Sequence, residues 1–242
     1  MQNFASFFIE YIKKIVYKIK NKKFIDLIFP QSCIICGKIN EKHLCDKCKK
    51  RIQKFEKNKY ISNINYIEKF LTCGKINFEK LFYCYEYKGV IRKIIINYKF
   101  NDRSYICNYF ANMLLNCKKT YRFLKFYDII IPVPMERTRK LKRGYNQTEL
   151  ITDIITKKVD ILNGKDLIVK IKHTNMQSTL NLEKRKENIK NAFSVYNKNI
   201  IKGKRIILFD DICTTGNTIN EISRILKEFG AKEILVLVIA KD

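Results

Sequence analysis

Residues 205–218 read Arg-Ile-Ile-Leu-Phe-Asp-Asp-Ile-Cys-Thr-Thr-Gly-Asn-Thr. Four apolar residues run into two adjacent carboxylates, Asp210 and Asp211. Two like charges in an interior are costly unless something compensates them. At the carboxyl end of a buried parallel strand, where open α/β sheets bind their ligands, they have work to do. The following loop carries hydroxyls at Thr214, Thr215 and Thr218, and Gly216 just before a helical pattern. Backbone N–H groups at a helix start, with the helix dipole behind them, favour an anion. A glycine there lets the backbone come close. A phosphate held in this way gains roughly 1.5–3 kcal/mol per charge-assisted hydrogen bond. A phosphate site beside two carboxylates is consistent if the ligand carries both a phosphate and a diol. The loop takes the phosphate, and the carboxylates accept from sugar hydroxyls near a divalent cation. A phosphorylated ribose fits. The Gly-x4-Gly-Lys-Ser/Thr loop of nucleoside triphosphatases is absent. A plain strand-end cap is the competing explanation of the same residues.

A second chemical cluster lies near the other end. Cys33, Cys36, Cys45 and Cys48 form two Cys-x2-Cys pairs with eight residues between them. Two such knuckles supply the four thiolates of tetrahedral Zn2+; iron in a rubredoxin-like site competes. His43 sits inside the spacer but is not needed to complete the set. The pentapeptide Cys-Gly-Lys-Ile-Asn recurs at 73–77, yet Cys73 lacks evident mates for a second site. Cys84, Cys107, Cys117 and Cys213 read as buried thiols.

The segment Ile-Ile-Leu-Phe-Asp-Asp-Ile-Cys-Thr-Thr-Gly-Asn-Thr resembles the phosphoribosyl pyrophosphate (PRPP) signature of type I phosphoribosyltransferases. Four further stretches, in order along the chain, resemble the ComF competence-protein family. They are Leu-Ile-Phe-Pro-Gln-Ser-Cys-Ile-Ile-Cys-Gly at 27–37, the Tyr-Lys-Gly to Lys stretch within 78–100, Pro-Val-Pro to Arg-Gly-Tyr-Asn-Gln within 131–151, and the Gln to Ala-Phe stretch within 174–193. The resemblance implies a type I phosphoribosyltransferase fold behind an N-terminal zinc ribbon. It implies that Asp210 and Asp211 hold the ribose hydroxyls and that Cys213, Thr214, Thr215, Gly216, Asn217 and Thr218 form the 5′-phosphate loop. Arg137, Arg143, Asn146 and Gln147 become candidates for pyrophosphate, and Arg185 for a hood closing over the site. It also implies Mg2+ with PRPP, displacement at the anomeric carbon, and a link to DNA uptake and its machinery. Neither His43 nor His173 is an evident base for an acceptor. Base salvage and non-catalytic PRPP sensing therefore stand beside competence as readings.

Several elements must position these groups. Residues 4–20 form a basic amphipathic pattern, with Phe4, Phe8, Tyr11, Ile12, Ile15 and Ile19 on one helical face. After residue 80 the chain alternates. The stretch 80–88 predicts a strand, 89–100 and 104–116 predict helices, and 127–134 a buried strand stopped by prolines. Residues 146–159 predict a helix with Asn146 as cap, and 165–172 a strand. Residues 181–193 predict a basic loop and short helix, 205–209 a strand, 216–230 a helix ended by Gly230, and 232–240 a last strand. Strands alternating with helices predict a parallel α/β sheet covered on both faces. The expected division is a leading helix over 1–26, a zinc-ribbon module and linker over 27–78, and the transferase-like domain over 79–242.

With 242 residues and 46% hydrophobic content, the chain can build a substantial core. Its formal net charge of +26 favours polyanions, although the Lys, Ile and Asn bias of an AT-rich genome would raise it without any partner. Lys47, Lys49, Lys50, Arg51 and Lys54, with Phe55 and Tyr60, place cations among aromatics beside the cysteines. That composition suits single-stranded DNA. No signal peptide or membrane-length apolar run is evident, and paired cysteines suit a reducing compartment, so a cytoplasmic location is expected.

Overall fold

The computed structural model describes residues 32–39, 44–56, 60–63, 75–100, 104–171 and 189–242. The chain divides into two compact units, residues 1–50 and 51–242. The leading amphipathic segment, His43, Cys73, His173 and Arg185 lie outside the described residues.

In the first unit a tight knuckle opens the cysteine cluster. Cys33 N donates to Lys38 O at 2.8 Å and Gly37 N to Cys33 O at 2.9 Å, with Gly37 at φ 74°. Ser32 and Ile39 close it as an isolated antiparallel bridge. The second knuckle runs into helix α1 (Asp46–Glu56), which carries Cys48 in its first turn.

The second unit is built on a six-stranded sheet of order β1-β2-β8-β7-β3-β4. Its strands are β1 (Tyr60–Asn63), β2 (Lys80–Glu86), β3 (Ile129–Pro132), β4 (Leu162–Asn163), β7 (Arg205–Cys213) and β8 (Glu233–Lys241). Every pairing is parallel except β1 with β2. Strand β8 buries seven consecutive residues, Ile234 to Ala240. Parallel strands covered on both faces read as such continuous β-branched and aliphatic runs.

Alternate residues serve opposite faces. Ile206 and Leu208 of β7, Ile129 and Ile131 of β3 and Ile234, Val236 and Val238 of β8 form one core. Ile219, Ile222, Ile225 and Leu226 of helix α7 (Asn217–Glu228) close it. The other face carries α2 (Gly89–Phe100), α3 (Ile106–Asn116), α4 (Lys118–Phe126) and α6 (Gln147–Thr156). There Phe82 of β2 meets Phe123 of α4 edge-on, ring centroids 5.5 Å apart. A short basic helix, α5 (Arg137–Arg143), precedes α6.

Most predicted elements appear where the periodicity places them, and the differences have physical reasons. Strand β2 alternates in residue type but is buried from Leu81 to Tyr85, because β1 and β8 flank it and both faces are covered. The strand expected over 165–172 shortens to β5 (Ile168–Lys170) and leaves the main sheet. It pairs antiparallel with β6 (Phe193–Val195), which begins at the last residue of the stretch expected as loop and short helix. With three residues that strand is too short to leave a periodic signal. Helix α4 was not read because it buries only Thr120 and Leu124, too narrow a stripe for a periodic signal. Strand β7 continues through both aspartates to Cys213 rather than stopping before them.

Candidate phosphoribosyl and zinc sites

Neighbouring strands end at different heights, and that creates the site. Strand β3 last pairs at Pro132 with Phe209, whereas β8 accompanies β7 as far as Cys213. Asp210 and Asp211 therefore lie beyond the end of β3, on a step where one edge of β7 has lost its partner. The Pro132-Val133-Pro134 turn makes the step, since proline cannot continue the ladder. The two carboxylates are linked through the backbone, Asp211 N donating to Asp210 Oδ1 at 2.8 Å.

Asp211 is 6% exposed and faces Lys99 at the end of α2, Nζ to Oδ1 2.9 Å. Burial and the neighbouring Asp211 push the Asp210 carboxyl up, and Lys99 only partly opposes them; its pKa rises to about 8. Arg143, half-buried at the end of α5, is held below its ordinary value by burial, while the charge of Asp211 pulls the other way. The step thus gathers two carboxylates and two cations.

The loop after β7 turns at Gly216, which adopts φ 74° and opens α7 with no side-chain cap. The first-turn N–H groups are left for another acceptor. Thr214 is exposed, Thr215 and Thr218 are half-buried, and Cys213 is buried. Asn217 is 7% exposed, and neither its Nδ2 nor its Oδ1 finds a partner among the described residues. A buried amide left unpaired costs about 1–3 kcal/mol, so Asn217 has hydrogen-bonding capacity left to satisfy at this helix start.

The remaining candidates separate. Asn146 is buried and engaged throughout. Its side chain accepts from Thr148 N at 3.2 Å to cap α6, and its Nδ2 donates to Val133 O and to Glu149 Oε1 at 3.2 and 3.1 Å. Gln147 is 1% exposed. Its backbone oxygen accepts from Tyr98 Oη at 2.8 Å, its Oε1 lies 3.3 Å from Arg143 Nη1, and its Nε2 has no partner among the described residues. Asn146 and Gln147 thus lock the turn that carries Arg143. Arg137 stands exposed on the first turn of α5. Of the other cations there, Lys140 pairs with Glu149 at 2.6 Å and Arg139 lies 3.9 Å from Glu136.

Lys99 escaped sequence reasoning, although it is the lysine that closes the Tyr-Lys-Gly to Lys stretch. Its helix is fixed to the basic turn by Tyr98, whose hydroxyl reaches Gln147 O, and by Tyr145 Oη, which donates to Tyr98 O at 2.8 Å.

In the first unit the Sγ atoms of Cys33, Cys36, Cys45 and Cys48 all lie within 4.8 Å of one another, Cys36 and Cys45 at 3.9 Å. A tetrahedron with arms of about 2.3 Å has edges of about 3.8 Å, so the set fits zinc. Burial alone would raise the Cys33 thiol, but hydrogen bonds from the backbone of Cys36, Cys45 and Ile35 pull it down to about 6. Cys48 is pushed up to about 12 by burial and by the neighbouring sulfurs. Four thiols this close need a cation before all can ionise.

Comparison with known proteins agrees with both halves. The phosphoribosyl transferase domain family matches residues 149–242, and the double zinc ribbon domain family matches 24–59. The latter stretch holds four cysteines, one zinc's ligand set. The chain is 33% identical to "Competence protein F" of Haemophilus influenzae over 223 residues, covering 86% of this chain and 96% of that protein. It is 25% identical to "DNA utilization protein YhgH" of Escherichia coli K12 over 84% of this chain and 87% of that one. It is 26% identical to "Competence protein ComFC" of Streptococcus pneumoniae over 62% and 63%. A solved hypoxanthine phosphoribosyltransferase of Staphylococcus aureus aligns at 11% identity over 59% of this chain and 64% of that one, TM-score 0.36, too distant to bear weight. Among the described residues no helix is long and apolar enough to cross a membrane. With a parallel sheet flanked by helices and a zinc-ribbon cysteine cluster, the chain belongs to the competence protein F family.

Proposed function

We propose that the chain binds PRPP with Mg2+ at the end of β7 and serves DNA uptake and natural transformation. The observation carrying the PRPP reading is the buried, unpaired amide of Asn217 in a glycine-turned helix start, one turn past a carboxylate pair. In this reading the N–H groups of Thr214 to Thr218 receive the 5′-phosphate and Asn217 completes the shell. Asp210 and Asp211 accept from the ribose hydroxyls. Arg143 and Arg137 meet the pyrophosphate, Asn146 and Gln147 hold that turn, and Arg185 belongs to the hood. Mg2+ bound with PRPP near Asp210 and Asp211 would neutralise the pyrophosphate charge and so ease its departure, taking few ligands from the protein. If transfer occurs, the bond from C1 of the ribose to pyrophosphate breaks as an acceptor bonds to C1, and pyrophosphate leaves with the electron pair.

The domain division of 1–26, 27–78 and 79–242 assigns the zinc ribbon to recognition, with single-stranded DNA as its partner and the cytoplasm as its place. The names of the relatives, competence and DNA utilization proteins, support a role in handling DNA. Pyrophosphate release measured with a panel of nucleobases and oligonucleotides tests for turnover. Release with one base supports salvage instead of competence. PRPP bound but intact with every acceptor makes the chain a sensor. No PRPP binding at all sinks the reading.

A further inference from the structure

Helix α4 carries a feature that PRPP binding does not use. Thr120 and Leu124 anchor it, both fully buried, while Lys119, Tyr121, Arg122, Lys125 and Phe126 point outward. With Lys80, Phe123 and Tyr127 they line a concavity of about 750 Å3. Among the described residues three aromatic side chains are exposed, and two of them are here, Tyr121 at 38% and Phe126 at 54%. Single exposed rings are ordinary. These two are each covered by a cation: Lys125 Nζ lies 5.2 Å from the Tyr121 centroid, and Arg205 Cζ lies 4.2 Å from that of Phe126.

No acidic residue lines the concavity. The nearby Glu233 is already occupied, accepting from Lys80 Nζ at 2.8 Å and from Tyr127 Oη at 2.6 Å. Lys119 and Arg122 have no acidic partner among the described residues. The field over the groove is therefore positive, and two ring faces lie within it. Cations beside stacking rings suit a backbone of phosphates with unpaired bases, whereas a duplex hides its base faces.

We propose that this groove binds single-stranded DNA, with phosphates against Lys119, Arg122 and Lys125 and bases on Tyr121 and Phe126. The proposal rests on the DNA-handling reading above and adds a site separate from the zinc ribbon. Arg205 begins β7 and Asp210 lies five residues further on, about 16 Å along the strand. A bound strand would leave the PRPP step open.

The test is anisotropy of a labelled oligothymidylate of about 20 nucleotides with the full chain, zinc bound, at moderate salt. The Tyr121→Ala/Phe126→Ala variant is expected to weaken binding at least about tenfold, and Lys119→Ala/Arg122→Ala to lower both affinity and its salt slope. Should either variant lose its native melting transition, crosslinking of a bromodeoxyuridine-containing strand to the wild-type chain decides instead. Crosslinks to the 118–127 peptide support the groove. Crosslinks confined to the cysteine module, or unchanged affinity in both folded variants, overturn the groove and leave DNA handling intact. A wild-type chain that ignores the oligonucleotide overturns both. Tighter capture of an RNA of the same length, or variants that abolish only self-association, also overturns the assignment.

Discussion

The carboxylate step depends on charge balance among four side chains. Asp211 is paired with Lys99, but Asp210 has burial and a like-charged neighbour against it. Its folded pKa stands above the unfolded value near 3.9. The sign follows: the folded state binds the extra proton, so the stability from this group is present at low pH and declines as pH rises toward about 8. A ligand hydroxyl donating to Asp210 favours the ionised form, which is the stronger acceptor. PRPP binding between pH 7 and 8 is then expected to release a proton, above the range where the ligand's own phosphate titrates near pH 6. Calorimetry in two buffers of different ionisation enthalpy reads that release, and Asp210→Asn should abolish it. Lys99→Met leaves Asp211 without its ion pair. Lys99 keeps 22% of its side-chain surface in water, so a loss of about 1–3 kcal/mol is expected rather than the full cost of a buried broken pair. Lys99→Arg should recover most of it in a thermal melt.

At the scale of elements, two joints decide whether the step forms. Asn146 caps α6 and also ties it to Val133 at the proline turn. Asn146→Ala should cost about 1–2 kcal/mol in chemical denaturation, because a cap and a buried donor are lost together. Gly164 follows β4 where a Cβ would sit 2.7 Å from Ile131 Cγ1 and 3.0 Å from Ile129 Cγ2. Gly164→Ala should destabilise by about 1–3 kcal/mol through overpacking of β3, and its cost should be smaller in an Ile131→Ala background, which removes the Cγ1 atom it would meet. The same elements show what was legible in the sequence. The apolar runs of β3, β7 and β8 and the cap at Asn146 could be read directly, since burial on both faces and a capping residue each leave a local signature. The pairing of β5 with β6, the narrow stripe of α4 and the reach of Lys99 to Asp211 could not. The first and last depend on residues far apart in sequence meeting across the fold, and the stripe of α4 is too narrow to show a period. Asp210 and Asp211 were legible as a carboxylate pair after an apolar strand, but not the unequal heights of β3 and β8 that leave them beside an unpaired edge of β7.

For the whole molecule, the excess of cations acquires positions rather than remaining a total. Some lie at the carboxylate step, some beside the cysteine cluster and some along α4, at the far end of β7 from the step. Metal content has its own expectation. The chain should carry about one zinc, from the single tetrahedral thiolate set described. A strong chelator should release it with loss of helical signal from α1, and Cys36→Ser should abolish retention on dialysis. The central claim is that the step at the end of β7 holds a phosphorylated ribose, and titration calorimetry with PRPP and Mg2+ tests it most directly. The account predicts a saturable heat that vanishes in Asp210→Ala and Asp211→Ala chains that still melt cooperatively. Absence of heat from the wild-type chain, or equal heats from both variants, would contradict it.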